Sequence, residues 1–557
     1  MNFQTNINKE RQLKKKWDRR EKTAHVSNFD KQNNTSQREY ARTNNVPRST
    51  LQNWLKNKKS IDASPELILF FESPAGLAFL HKLISALHFS FTKVGNASIH
   101  NICDFLQLSG LSSFVASSYG SHQKISTQID GIINTFGESE KVRLAKGMKP
   151  KKITLCQDET FHPDICLVAM EAVSNYILVE EYSQKRDSLS WSNVVDKGIQ
   201  DLSVEIVQST GDEAKALINY AEEKLGVNHS PDIFHVSNEI IKGTSGALAS
   251  KVKQAQKAGE SASKHLTQCQ QEKKDYESIK QGPGRPPDFE KKIEQAQSTL
   301  RISEKMSEKA IQNQANVKQS YKQIGIDYHP YNLKTGQVQD SKKVGELLDK
   351  IFDTIKQNTQ HLSERCTKHI YKAYRVVNKL KNTIAYFFIM TQLLIDNLEL
   401  DAKNRELVEQ YLIPGFYLSL VAAKQKDKES KIKIENKSEE LLSLFYDTYN
   451  SINPPDNQRL EEIEKTSQEC AYLFQRSSSN VEGRNAQLSL KHHNLHRLKD
   501  ERLKALTNIH NYWIKNKDDT TAAQRFFDKK PKNMFEYILD NLDMPARPRN
   551  KYGHIAA

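Results

Sequence analysis

Asp158, Asp212 and Glu482 are spaced like the parts of a split phosphoryl-transfer site. Asp158 closes one strand-like run, Asp212 follows another, and Glu482 lies far downstream in SSSNVEGRN. Carboxylates that converge in this way hold divalent cations, and cations held so cut and join nucleic acid. Between residues 240 and 470 the chain reads as a helical insert pushed into the middle of that site.

Each acid needs an element to carry it. KKITLCQD predicts a strand ending at Asp158. DICLVAME (164–171) and SNYILVEEY (174–182) predict two more, all rich in β-branched or apolar residues. A polar helix fits 187–200. VEIVQST (204–210) predicts a fourth strand, with Gly211-Asp212 directly after it, and EAKALINYAEEKL (213–225) predicts an amphipathic helix. DIFHV is a candidate fifth strand. In an open α/β sheet, function gathers at the carboxyl ends of strands, and Asp212 sits at such an end. Glu159 neighbours Asp158 and should point to the opposite face, because successive strand side chains alternate. Ser477, Ser478, Ser479 and Asn480 precede Glu482, and any of them can cap a helix start. A Glu in a first turn is favoured by the helix dipole, so capping alone accounts for a Glu at that place.

Composition narrows the partners. The 557 residues exceed a single core and predict three or four domains. A net charge of +14 favours a polyanion. Residues 1–60 hold 15 Lys and Arg against 5 Asp and Glu, so that segment alone contributes +10. Cysteines 103, 156, 166, 269, 366 and 470 form no CxxC pair, which argues against a zinc ribbon or a disulfide framework and suits a reducing cytoplasm. The opening residues have no apolar core of the kind a secretory signal requires. The apolar stretches 68–91 and 383–398 read as buried helices, and no membrane partner is expected.

The segment SQREYARTNNVPRSTLQNWLKNK (36–58) predicts a helix-turn-helix. Tyr40 and Ala41 face inward on the first helix, Asn44-Asn45 turns the chain, and Pro47 suits the first turn of the second. Leu51, Trp54 and Leu55 share one face, leaving Arg48, Ser49, Thr50, Gln52, Asn53 and Lys56 for the DNA major groove. Residues 9–22 read as a basic arm for phosphate contact. Residues 61–148 predict a helical domain for DNA contact or dimerisation. Residues 246–318 predict an antiparallel coiled-coil hairpin broken at Gly282–Pro287. After Glu482, His492, His493, His496 and His510 read as a solvated or phosphate-facing helix edge.

The strand order and the places of Asp158 and Asp212 resemble the ribonuclease-H-like core of DDE transposases. PDIFHV follows 20 residues after Asp212 and carries Asp232 and His235 as D-x-x-H, similar to the C/D-x-x-H signature of hAT-like elements. Those elements also place a large helical insertion before the catalytic Glu. The closing SSSNVEGRNAQLSL, HNYW and TTAAQRFF resemble a group of prokaryotic insertion-sequence transposases.

The resemblance implies a core in two parts, 149–239 and 471–557, around an insertion at 240–470, with an N-terminal DNA-binding domain over 1–60. It implies two Mg2+ ions, or Mn2+, with Asp158 bridging both and Asp212 and Glu482 each completing one site. Mg2+ suits carboxylate oxygens and keeps several waters. Asp232 competes with Asp212 as the second ligand, and Asp212 is preferred because a strand–Gly–Asp–helix turn is the better carrier. His235 is expected near the scissile phosphate or a displaced base. Partners would be double-stranded DNA, both element ends and target, and at least one further copy of the chain. The location would be a bacterial cytoplasm, at the nucleoid. The rival readings are a DNA-binding coiled-coil protein that no longer cuts, and a metal nuclease of the same core without strand transfer.

Overall fold

The computed structural model describes residues 17–548 apart from 33, 57–63, 280–283, 476–477 and 496–497, and the side chains of 162 and 493–495 are likewise left aside. The chain is mostly helical, with one mixed five-stranded sheet. It forms two compact units, one of residues 1–148 with 490–557 and one of residues 149–489.

In the first unit, α1 (Arg19–Lys31), α2 (Gln37–Thr43) and α3 (Arg48–Lys56) surround a small core of Tyr40, Ala41, Val46 and Leu51. Ser36 caps α2 by accepting the Glu39 N–H at 3.2 Å. Asn45 takes the left-handed turn at φ 55°, and the Pro47 carbonyl accepts the Leu51 N–H at the head of α3. A third helix braces this pair, unforeseen from the sequence. Residues 19–22 of the expected basic arm belong to α1, whose Asp18 and Glu21 form a reciprocal cap. The earlier part of the arm, 9–16, lies outside the described residues. Trp17 meets the His25 and Trp54 rings edge-on, and His25 stacks on Trp54. Arg48, Ser49, Gln52, Asn53 and Lys56 are exposed and Thr50 is half-buried.

The same unit holds the helices expected over 61–148. Lys93 is fully buried and donates to Asp130 at 2.7 Å, and Arg502 shares that carboxylate. Asp500–Tyr512 packs against Tyr119–Ala145 through Phe136 and Tyr512. The described residues between 490 and 548 therefore group with the N-terminal helices, whereas the sequence reading joins them to the strands. Their apolar positions Leu503, Leu506 and Ile509 are satisfied in that core. His492 is buried as well, although the sequence suggests a solvated edge. Among the described residues no single helix is long and apolar enough to cross a membrane. Pro65–Phe71 and Pro74–Val94 pass that test only as a pair bent by 78°.

In the second unit, β1 (Lys151–His162), β2 (Asp164–Glu171), β3 (Ile177–Ser183), β4 (Val204–Gly211) and β5 (Asn228–Pro231) form a sheet of order β3-β2-β1-β4-β5. The β1–β2 and β2–β3 pairs are antiparallel, while β1–β4 and β4–β5 are parallel. The expected neighbourhood of the first and fourth strands is present. A helix at Ser188–Ile199 provides the crossover before β4. The candidate strand DIFHV is instead a helix start. The fifth strand ends at Pro231, and Asp232 caps the helix Ile233–Ser278 by accepting the Phe234 N–H at 2.7 Å.

That 46-residue helix and its partner Phe289–Asp327 are the arms of the predicted hairpin, each extending beyond the expected limits. Small buried residues, Ala262, Cys269, Ala296 and Ser303, let the arms approach closely. A bundle follows, from Ser341–Thr359 to Asn457–Leu473, with Phe352, Ile384, Phe387, Leu418 and Phe445 in its core. The apolar stretch 383–398 is the later part of one of these helices, Val377–Asp396, and the two residues after it.

Candidate functional site

The parallel register of β1 on β4 brings the first two acids together. Its last pair is Cys156 with Thr210, so a step of two residues along both chains leads to Asp158 and Asp212. That step carries Asp212 just past the end of β4, close enough for its charge to act on Asp158. β1 continues to His162 because β2 pairs with it along its whole end, through His162 with Asp164. Asp158 is therefore inside its strand, four residues short of the end at His162 rather than at the end as expected, but beyond the last β1–β4 pair. Gly211 permits the close approach: a Cβ there would lie 2.8 Å from the Gln157 carbonyl oxygen. Asp212 turns the chain onward by accepting the Ala214 N–H at 2.9 Å. The helix expected over 213–225 is a short α-helix, Lys215–Asn219, followed by a wider π-helical turn, Tyr220–Leu225.

Asp158 accepts the Glu159 N–H at 2.9 Å on Oδ1 and the Asn485 amide at 2.8 Å on Oδ2. Burial pushes its carboxyl up to about 6, with the Asp212 charge adding to the rise. The Glu159 N–H, the nearby His235 and Asn485 hold it back. Glu159 turns aside to bond Arg186 at 2.8 Å, as strand alternation requires.

Glu482 arrives on the first turn of the helix Ser479–Leu495. Its carboxyl is also raised, by burial first and then by the charge of Asp232, against which His235 acts. His235 Nε2 lies 3.9 Å from Glu482 Oε1. One atom each from Asp232, His235 and Glu482 fall within 4.8 Å of one another, a spacing that could hold a metal ion. The acids thus form two linked sets: Asp158 with Asp212, and Glu482 with Asp232. His235 acts on both.

The Glu482 helix is fixed to the sheet by residues that the sequence reading passes over. Asn480 donates to the Ala172 carbonyl at 2.9 Å. Arg484 reaches Glu180 on β3 with both fork nitrogens. Asn485, one turn beyond Glu482, reaches Asp158. The i, i+3 spacing of Glu482 and Asn485 was the available signal, since such residues share a helix face.

A family model, described as a family of unknown function (DUF6399), matches residues 408–554. The matched region includes Glu482, Arg484 and Asn485 and leaves out Asp158, Asp212, Asp232 and His235. No match was found among curated proteins.

Proposed function

We propose that this chain is a DNA transposase of the DDE type, with a ribonuclease-H-like core interrupted by its helical insertion. It cuts at the ends of a mobile element and joins the freed 3′-hydroxyl to target DNA. The observation that carries this reading is the β1–β4 register that sets Asp158 beside Asp212, combined with the bond from Asn485, on the Glu482 helix, to Asp158. A mixed five-stranded sheet with the third acid on a later helix supports the same reading.

The donor set fits a divalent cation. Asp158, Asp212 and Glu482 offer carboxylate oxygens and His235 a ring nitrogen. The two half-buried acids, Asp158 and Glu482, both hold protons more tightly than usual, because burial disfavours their charged forms. Bound there, Mg2+ or Mn2+ supplies Lewis-acid charge to phosphodiester oxygens. Asn485 orients Asp158 by holding Oδ2, which leaves its remaining lone pairs for a ligand. His235, half-exposed beside Glu482, would meet the scissile phosphate or a displaced base. The exposed side chains of α3 supply Arg48, Ser49, Gln52, Asn53 and Lys56 to DNA, with Thr50 at their margin. Two ends must be brought together, so a dimer or larger assembly is the working form.

The experiment supplies the protein with Mg2+ or Mn2+, a labelled duplex bearing an end from the gene's own flanks, and a supercoiled target plasmid. Covalent transfer of label into the plasmid through a 3′-hydroxyl is the expected product. Cutting without transfer would leave a nuclease, and binding without cutting would leave a DNA-binding protein.

A further inference from the structure

We infer that Asp232 is a positioning residue that holds Glu482 in the site from the far side of the insertion, rather than a cation ligand. The inference rests on the proposed site for its catalytic meaning and on hydrogen bonds for its geometry. Asp232 is only 1 % exposed, and both its oxygens are engaged. Oδ1 accepts the Phe234 N–H at 2.7 Å, closing the first turn of Ile233–Ser278. Oδ2 accepts the Ser478 N–H at 3.0 Å and the Ser478 hydroxyl more closely still, across 246 residues of sequence. Just before it, Ser230 Oγ donates to the Gln475 carbonyl at 3.2 Å.

Ser478 is where this contact acts on the site. Its carbonyl accepts the N–H groups of Val481 at 2.9 Å and Glu482 at 3.2 Å, so the backbone of Glu482 hangs from Ser478. The carboxylate at the entry to the insertion therefore grips the residue at its exit and, through it, the first turn that carries Glu482. Hydrogen bonds to a buried carboxylate are among the stronger ones in proteins, and losing an acceptor strands the donors. The insertion's core already draws its two ends together, with Ile233, Val236 and Ile240 packed alongside Cys470, Ala471 and Phe474, and the Asp232 carboxylate adds the polar contact that reaches the Glu482 turn. D-x-x-H then divides its labour: Asp232 closes the split and His235 faces Glu482.

The test uses the full chain as wild type, Asp232→Asn, Ser478→Ala and Glu482→Gln, and measures amide exchange together with Mn2+ binding. Asp232→Asn presents an N–H where the Ser478 N–H needs an acceptor. It should speed exchange over 478–482 by about tenfold or more and leave the β1 peptides unchanged. Ser478→Ala keeps the backbone bond and should give a smaller acceleration; should Asp232→Asn not fold, this variant carries the comparison. At saturation Asp232→Asn should bind as many Mn2+ ions as wild type, with weaker affinity, whereas Glu482→Gln should bind fewer. Excess Mn2+ should restore DNA cutting by Asp232→Asn and not by Glu482→Gln. Unchanged exchange over 478–482, or loss of an ion in Asp232→Asn as in Glu482→Gln, overturns the inference. If wild type binds no Mn2+, the cation reading of the site falls, and the exchange result alone decides whether Asp232 anchors the Glu482 helix.

Discussion

Arg484 grips Glu180 with a two-pronged ion pair, Nε to Oε1 at 2.7 Å and Nη2 to Oε2 at 2.6 Å, with side chains 5 % and 0 % exposed. A charge pair this deep is fragile towards loss of one partner, because the survivor is stranded without water. Arg484→Ala should cost about 3–5 kcal/mol in denaturant unfolding, and adding Glu180→Leu should recover much of that. A loss below about 1 kcal/mol would show that the pair does not lock the helix to β3.

The proton affinity of Asp158 gives a pH signature. Its carboxyl is raised from 3.8 to about 6 in the fold, so between those values the folded state keeps a proton that the unfolded chain has lost. Stability tied to this group is thus fully present below pH 3.8 and falls as pH rises through about 6. In metal-free protein at pH 8, Asp158→Asn should be the more stable by about 1–3 kcal/mol, and the difference should vanish near pH 4. Thermal unfolding at pH 4, 6 and 8 checks the trend. Mn2+ should raise the Tm of wild type and move that of the variant little.

Gly211 is a backbone contact as much as a turn residue. A methyl group there meets the Gln157 carbonyl at 2.8 Å and the Leu217 side chain at 3.1 Å. Gly211→Ala should destabilise the protein by about 1–3 kcal/mol and pull β4 away from β1. Because the same strand end carries Asp212, Mn2+ affinity should drop too. Undiminished affinity with lowered stability would uncouple Asp212 from the strand approach.

On α3, Arg48 and Lys56 are exposed and should meet phosphates. Replacing each with Ala should weaken DNA binding for all sequences alike and lower the salt slope by about 1 per residue. Gln52→Ala should instead relax sequence preference. A salt slope unchanged in the Arg48, Lys56 double variant would place the DNA elsewhere.

The sheet was readable because its strands are compact apolar runs, and the β1–β4 neighbourhood followed from their order. The strand DIFHV misled, since Asp232 reads equally as a strand residue or a helix cap, and the cap wins once Pro231 ends the ladder. The brace supplied by α1 was hidden by its charge: Val26 and Phe29 are too few to mark a core face among so many basic residues. Glu482 needed the family resemblance, because capping alone accounts for a Glu at that place, whereas Asp158 and Asp212 could be proposed from strand order and spacing. The contacts of Asn485, Arg484 and Ser478 could not, because each joins residues more than two hundred positions apart. The i, i+3 spacing puts Asn485 on the face of Glu482, but packing across an insertion leaves no local pattern that names its partner.

The most direct measurement of the central claim is cutting of end-bearing DNA in Mn2+ by wild type and by Asp158→Asn, Asp212→Asn and Glu482→Gln, each first shown to be folded and to bind DNA. The account predicts nicks at the element ends with wild type and product reduced by at least about a hundredfold in each variant. Equal cutting by wild type and the variants, or no cutting by wild type on authentic ends, would contradict it.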